Sequence, residues 1–223
     1  MKPKHIGIIL DGNRRFATSR GMQKWKGHEY GAENVENLMD WAKELNIKQL
    51  TLYILSTENL KREKKELDFL FALFRKWFKK FKKDKRVHEN KIRIRFIGDL
   101  SLVPEDIKKL AKEIEEDTKS YDNYIVNFCY AYGGRLELLQ VINKLKEKKG
   151  EITEQDVSNA LWLKDEPELI IRTGDRARLS NFLPWQSIYS EIIFLKKMWP
   201  EFTKEDLADC IKQFESMQRN FGK

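Results

Sequence analysis

Short apolar runs punctuate this chain, and longer stretches with helical spacing lie between them. The runs are His5 to Leu10, Gln49 to Leu55, Ile92 to Ile97, Tyr124 to Tyr130, Leu169 to Arg172 and Ile192 to Leu195. Most are continuous instead of alternating, as expected of strands covered on both faces, so they predict a mainly parallel sheet. Between them, Leu102, Ile107, Leu110, Ala111 and Ile114 share one face of a Lys- and Glu-rich stretch, and Leu207, Ile211, Phe214 and Met217 share another. Thr203, with Asp206 at the capping-box position, predicts the start of the second helix. No Pro/Ser/Gly-rich linker, repeat or low-complexity tail interrupts the pattern. The expected fold is a single α/β domain over residues 1–223, with about six strands and helices on both faces of the sheet.

One helical stretch is unusually aromatic. From Leu67 to Phe81 the spacing puts Leu67, Leu70, Phe74, Trp77, Phe78 and Phe81 on one broad face, and Phe69, Phe71 and Leu73 widen it. Two readings are open on periodicity alone. The helix packs into the core with Lys79, Lys80, Lys82, Lys83, Lys85 and Arg86 as a solvated basic end, or it walls an apolar cavity or touches a membrane surface.

Composition narrows the class. At 223 residues a single core can bury most of the apolar surface without disulfides. Cys129 and Cys210 stand far apart with no CxxC spacing, which argues against a zinc ribbon or a secreted scaffold and fits a reducing cytoplasm. No apolar stretch approaches the roughly 18 residues of a membrane span, so a cytoplasmic protein is expected. The 43 Lys+Arg outnumber the 35 Asp+Glu, giving +8, and this excess predicts an anionic partner: nucleic acid, a membrane surface or a phosphorylated substrate. Nucleic acid has only the Lys/aromatic interleaving of Arg75 to Arg86 behind it. It is set aside because the basic residues past the strand ends are embedded in carboxylate-containing motifs.

Those motifs carry the chemistry. Ligands of open α/β sheets bind past the carboxyl ends of the strands. There the sequence places Asp11-Gly12-Asn13-Arg14-Arg15, then Ser56-Thr57-Glu58-Asn59 with Arg62 and Glu66, then Gly133-Gly134-Arg135, then Arg172 to Asn181, with Glu191 just before the last run. Arg15, Arg62, Arg172, Arg178 and Ser180 suit phosphate oxygens, since a guanidinium is a forked donor. Asp11 and Glu191 are hard oxygen ligands, and a carboxylate among phosphate-binding arginines is how Mg²⁺ is held against a diphosphate. The expectation is a Mg²⁺-assisted diphosphate site. Asp11-Gly12 also reads as a tight turn, although a turn does not need two arginines after it. His28-Glu29 lacks the second His of a zinc-protease helix, and His28, like His5 and His88, also reads as structural.

Long motifs then match a known family. HIGIILDGNRRFA from His5 to Ala17, LYILSTEN from Leu52 to Asn59, Asn127 followed by Tyr132-Gly-Gly-Arg135, Ile171-Arg-Thr-Gly174, and RLSNFLPWQ from Arg178 to Gln186 resemble the cis-prenyltransferases, the undecaprenyl and dehydrodolichyl diphosphate synthases. The resemblance implies a parallel sheet with surrounding helices, a homodimer, and an apolar tunnel for a growing polyprenyl chain. The implied reaction adds isopentenyl diphosphate repeatedly to an allylic diphosphate, with Mg²⁺ and cis geometry. Carried over by motif, Asp11 holds Mg²⁺ and assists departure of the allylic diphosphate, cradled by Gly12, Asn13, Arg15 and His28, with Lys24 and Arg62 nearby. Asn13, Ser56 and Glu58 support the reacting carbons and proton removal. Arg172, Arg178 and Ser180 bind isopentenyl diphosphate, and Glu191 completes the metal site, within the chain or across the dimer. Many of the 13 Phe would wall the tunnel.

Departures from the family pattern mark this chain. Gly-Glu after Arg-Thr-Gly becomes Asp175-Arg176, an Arg becomes Lys24, an aromatic becomes Leu60, a small tunnel residue becomes Ile54, and Arg-x-Gly near the end reads Asn220-Phe221-Gly222 after Arg219. They motivate an alternative, a weakly active or non-catalytic subunit of a heteromeric enzyme. Contact with a membrane surface, where a lipid product would leave, is a further expectation.

Overall fold

The computed structural model describes residues 1–217; Arg219, Asn220, Phe221 and Gly222 lie outside the described residues. Each apolar run forms a strand: β1 (His5–Ile9), β2 (Gln49–Ser56), β3 (Ile92–Ile97), β4 (Tyr124–Tyr132), β5 (Leu169–Arg172) and β6 (Glu191–Phe194). The helices are α1 (Asn13–Thr18), α2 (Gly27–Glu44), α3 (Lys64–Lys82), α4 (Lys85–Glu89), α5 (Glu105–Thr118), α6 (Gly134–Leu145), α7 (Glu154–Ala160) and α8 (Lys204–Ser216). The six strands form one sheet of order β3-β4-β2-β1-β5-β6, and every pair is parallel.

This order positions the site. From β1 the chain winds toward β2, and from β5 it winds the other way to β6, so the boundary between β1 and β5 is a switch point. A crevice opens at the carboxyl ends of two such strands because their connections diverge. The register pairs Ile9 with Arg172, which sets the Asp11 motif beside the Arg172 motif.

One face of the sheet carries the larger core. Ile6, Ile8, Leu50, Leu52, Val126 and Phe128 meet Val35, Leu38, Phe74, Trp77, Phe78, Phe81, Ile107 and Phe214 from the helices. The aromatic run is mostly core: Trp77 and Phe81 lie against Phe128, with ring centroids 5.4 and 5.6 Å away, and Phe78 stands 4.8 Å from Phe96. Half of its basic end is ion-paired, Lys80 to Glu36, Lys82 to Glu113, and Arg86 to Asp84 and Asp40. The second face is covered less by helix than the sequence predicts. Leu163, Phe182 and Leu183 from irregular segments lie over Tyr53, Cys129 and Ile170. Glu137 of α6 holds those segments: its carboxylate accepts from Trp162 N at 2.8 Å, Gln186 Nε2 at 3.0 Å and the Tyr132 hydroxyl at 2.6 Å.

Local chemistry sets the element ends. Thr203 and Asp206 form the predicted capping box of α8. Leu102 does not join the α5 face; it is 46% exposed in a separate turn, since Pro104, lacking an N–H, stands at the α5 N-cap and the helix begins after it. The β3 edge is closed by α5, whose Thr118 hydroxyl and Glu115 carboxylate accept from Ile94 N at 3.1 Å and Phe96 N at 2.7 Å. His5 is structural. Asn127 Nδ2 donates to Thr51 Oγ1 at 2.8 Å, the Thr51 hydroxyl is 2.7 Å from His5 Nε2, and burial pushes His5 down to about 4.

Candidate active site

Asp11 is the centre of the crevice. Its Oδ1 accepts from Gly12 N at 2.7 Å and lies 3.3 Å from Arg15 Nη2, and its Oδ2 receives Arg172 Nη2 at 2.9 Å. The backbone is held as firmly: Asp11 O accepts from Trp199 N at 2.9 Å and from the Thr173 hydroxyl at 2.8 Å. Gly12 has φ +108, and a Cβ there would come within 2.8 Å of Met198. So the Asp-Gly pair does make a tight turn, and that turn aims a carboxylate between two guanidinium groups.

The loop after β5 forms an arm over the crevice. Arg172, almost fully buried, donates through Nη1 to Ser180 Oγ at 2.8 Å and to the Arg178 carbonyl. Its Nε has no hydrogen-bond partner among the described residues. Asp175, Ser180, Asn181 and Leu183 all have left-handed backbone, with φ of 54, 50, 67 and 48. Such residues cost of order 1–3 kcal/mol each unless their surroundings hold them. Here the hold is visible: Tyr53 donates to Ser180 O at 3.3 Å, Gly134 N to Asn181 O at 2.8 Å, and Arg135 N to Asn181 Oδ1 at 2.8 Å. The paired glycines let this contact close, since a Cβ on Gly134 would fall 2.0 Å from Pro184 Cδ and one on Gly133 2.6 Å from Thr57 Oγ1.

The opposite wall comes from α1, α2 and the start of α3. Asn13 donates to Leu10 O at 2.9 Å, while its buried Oδ1 has no partner among the described residues. Glu66, its side chain 1% exposed, gathers Arg62 at 3.0 Å, Arg14 at 3.5 Å and Lys24 at 3.8 Å. Arg62 Nη1 is also 3.4 Å from His28 Nε2. Burial, then Arg62 and Arg14, push His28 down to about 3, so it is a neutral ring whose Nε2 accepts from Arg62.

Together these walls enclose a cavity of about 590 Å³. Asp11, Gly12, Asn13, Arg15, Lys24, His28, Ser56, Arg62, Arg172, Arg178 and Ser180 all line it, so the structure brings together most of the residues that the motifs single out. The floor is apolar: Val35, Ile54, Leu70, Leu73, Phe74 and Trp77. A bulge where β2 pairs with β4, at Tyr53 to Leu55, turns both Tyr53 and Ile54 toward the cavity. Phe74 is the one Phe in the cavity wall among the described residues, so most of the Phe content serves core packing instead of a tunnel.

Two residues fall elsewhere. Glu58 stands outside the cavity wall and accepts from Asn181 Nδ2 at 2.8 Å, tying the turn after β2 to the arm. Desolvation opposes its ionisation, but hydrogen bonds from its own backbone, Asn181, Ser56 and Thr57 win and hold its carboxyl below the usual range. Glu191 opens β6 in register with Leu169, at the amino edge of the sheet. At a rise of roughly 3.3 Å per residue it lies about 10 Å along the strand from the carboxyl edge. Asp11 and Glu191 therefore share no metal site within one chain. Sequence reasoning in turn underrated Glu66 and Asn181. Glu66 had a local signal, its i,i+4 spacing from Arg62; Asn181 meets Glu58 across 123 positions and had none.

A family profile described as "Putative undecaprenyl diphosphate synthase" matches residues 9–222. The chain belongs to the undecaprenyl diphosphate synthase family, the cis-prenyltransferases. It is 44% identical to a tritrans,polycis-undecaprenyl-diphosphate synthase (geranylgeranyl-diphosphate specific) of Thermoplasma volcanium, over 100% of this chain and 90% of that protein. Lavandulyl diphosphate synthase from Lavandula x intermedia, solved in complex with dimethylallyl diphosphate, superimposes with a TM-score of 0.94 at 31% identity, covering 100% of this chain and 99% of that one. A probable undecaprenyl diphosphate synthase from Campylobacter jejuni gives 0.85 at 34% identity, with both chains fully covered. This cis-prenyltransferase is thus a transferase of prenyl groups that makes a polyprenyl diphosphate. No helix among its described residues is long and apolar enough to cross a membrane.

Proposed function

We propose that this cis-prenyltransferase extends geranylgeranyl diphosphate by repeated addition of isopentenyl diphosphate, with Mg²⁺, to a long polyprenyl diphosphate of the undecaprenyl type. The observation that carries this reading is the Asp11 carboxylate set between Arg15 and Arg172 above an apolar floor. The primer follows the specificity named for the Thermoplasma volcanium relative. In the reaction the allylic C–O bond breaks, the diphosphate leaves, a C–C bond forms to isopentenyl diphosphate, and a proton is lost. Arg15 and His28 bind the departing diphosphate, and preorganised guanidinium groups favour the charge that develops on it. Arg172, Arg178 and Ser180 hold the incoming diphosphate. Asn13, its Oδ1 without a partner among the described residues, and Ser56 face the reacting carbons, while Val35, Ile54, Leu73 and Phe74 keep water from the allylic cation.

Asp11 fits Mg²⁺. It is a hard-oxygen ligand on the cavity wall, and Mg²⁺ ordinarily takes one or two carboxylates and completes its shell with substrate phosphates and water. Bound there, Mg²⁺ would neutralise negative charge on the leaving group.

Incubating the pure chain with labelled isopentenyl diphosphate, Mg²⁺ and farnesyl or geranylgeranyl diphosphate tests the reading. Label should enter butanol-extractable product fastest with geranylgeranyl diphosphate, and Ile54→Ala should shift products to longer chains by opening the floor. Absence of incorporation by the chain alone would favour the non-catalytic subunit instead, and unchanged product lengths would remove Ile54 as a length determinant.

A homodimer is part of the same proposal. Strand β6 is an edge, and Ile188, Tyr189 and Phe194 around it are 71%, 62% and 42% exposed, as are Leu139 and Ile142 of α6 at 56% and 61%. Apolar groups this exposed favour a partner surface. Sedimentation should show a species of twice the chain mass; an active monomer would reject the dimer. The exposed lysines of α3, Lys65, Lys76 and Lys79, support contact with an anionic membrane surface, where the lipid product would leave.

A further inference from the structure

We propose that Arg176 is a diphosphate-binding residue of the arm, acting with Arg178 on the isopentenyl side of the cavity; this rests on the function proposed above. The argument is one of charge accounting. Of the cations lining the cavity, Arg14, Lys24 and Arg62 face Glu66, and Arg15 and Arg172 face Asp11. Arg176 and Arg178 line the same cavity and have no carboxylate within ion-pair distance among the described residues. Arg176 and Arg178 are therefore the two cavity-lining guanidinium groups without a carboxylate partner among the described residues, on a wall where five other cations share the carboxylates of Asp11 and Glu66, and both belong to the arm. Like charges gathered without counter-ions repel, and an anionic ligand removes that cost.

The backbone explains why Arg176 reaches the cavity. Gly174 N donates to Lys197 O at 2.8 Å and Asp175 N to Leu195 O at 2.9 Å, which stitches the base of the arm to the exit of β6. Asp175 then turns through φ 54, so the next residue points back over the crevice. Gly174 is packed against the Asp11 backbone, where a Cβ would be 2.9 Å from Asp11 O and 2.7 Å from Arg15 Nη2, leaving no slack between arm and crevice. Arg176 spends one donor, Nη1, on Asp175 O at 3.1 Å. A guanidinium has about five donors, so most of its fork has no acceptor among the described residues and faces the cavity. Arg178 is tied differently, through Nε to Ser180 Oγ at 3.3 Å, so the two side chains offer separate forks to one ligand.

Steady-state kinetics of Arg176→Ala, Arg176→Lys and Arg176→Glu, with each substrate varied in turn, test the assignment, alongside calorimetric binding of isopentenyl diphosphate and inorganic pyrophosphate. The group removed is a charge-assisted fork, stronger than a neutral hydrogen bond. Arg176→Ala should therefore raise KM for isopentenyl diphosphate about tenfold, with kcat and the primer KM within about twofold. Arg176→Lys should recover part of the loss, and Arg176→Glu should exceed it, at unchanged melting temperature. Unchanged KM in the Ala and Glu variants, or equal rises for both substrates, would overturn the assignment. Turnover by the wild-type chain separates the two ideas. If it turns over and Arg176→Ala behaves like it, the residue assignment alone fails; if it binds isopentenyl diphosphate through Arg176 without turnover, the functional reading fails and the assignment stands.

Discussion

Asp11→Asn should lower kcat by roughly 10³-fold while the protein stays folded. The substitution keeps the shape of the side chain, so Gly12 N retains an acceptor and the turn into α1 persists. What changes is the charge between Arg15 and Arg172. Without it the two guanidinium groups lose the anion that fixes their spacing, and the chain loses its own hard-oxygen donor toward Mg²⁺. Removing a single group that stabilises developing charge costs about 10²–10³ in rate in well-studied enzymes, and here one carboxylate serves both the ion and the arginines. Single-turnover rates, with circular dichroism to show the fold intact, measure the effect. A variant retaining a tenth of the wild-type rate would remove Asp11 from the centre of the mechanism.

Glu66→Gln should cost about 3 kcal/mol of stability and raise the primer KM. Glu66 is buried, and it is the one carboxylate in ion-pair distance of Arg14 and Arg62 among the described residues. Arg62 is itself partly buried, and breaking a buried pair by removing one member leaves the other desolvated and unpaired. The loss has a second consequence. Arg62 would no longer be held toward His28 Nε2, so the wall that cradles the primer would lose its order. A denaturant titration reads the first effect and primer-dependent kinetics the second. Stability within 1 kcal/mol of wild type would mean that the cluster behaves as an exposed surface pair.

Much of the architecture was legible before the structure because strand and helix periods are local. Continuous apolar runs such as Ile6 to Leu10 fit strands buried on both faces, which predicts a parallel sheet, and ligands of such open sheets bind at the carboxyl ends. That chain of reasoning located Asp11, Ser56 and Arg172 without any coordinate. It went astray at β6, where Glu191 precedes the apolar run and so stands at the strand's entrance, the edge opposite the one where the other motifs gather. Nor could periodicity divide the aromatic helix between core and cavity: it ranks Phe74 and Phe78 alike, yet Phe74 reaches the cavity wall and Phe78 packs on Phe96.

The sequence by itself determined the sheet, the strand ends and the motifs that gather phosphate-binding groups, because each depends on backbone geometry within a few residues. The tertiary structure alone decided which of those groups meet. Winding in opposite directions from β1 and β5 brings Arg172 onto Asp11 across 161 positions, and the left-handed arm carries Asn181 to Glu58 and Arg176 to the cavity. The same strand order leaves Glu191 at the far edge. Contacts of that range follow from strand order and crossover direction, which no local spacing encodes.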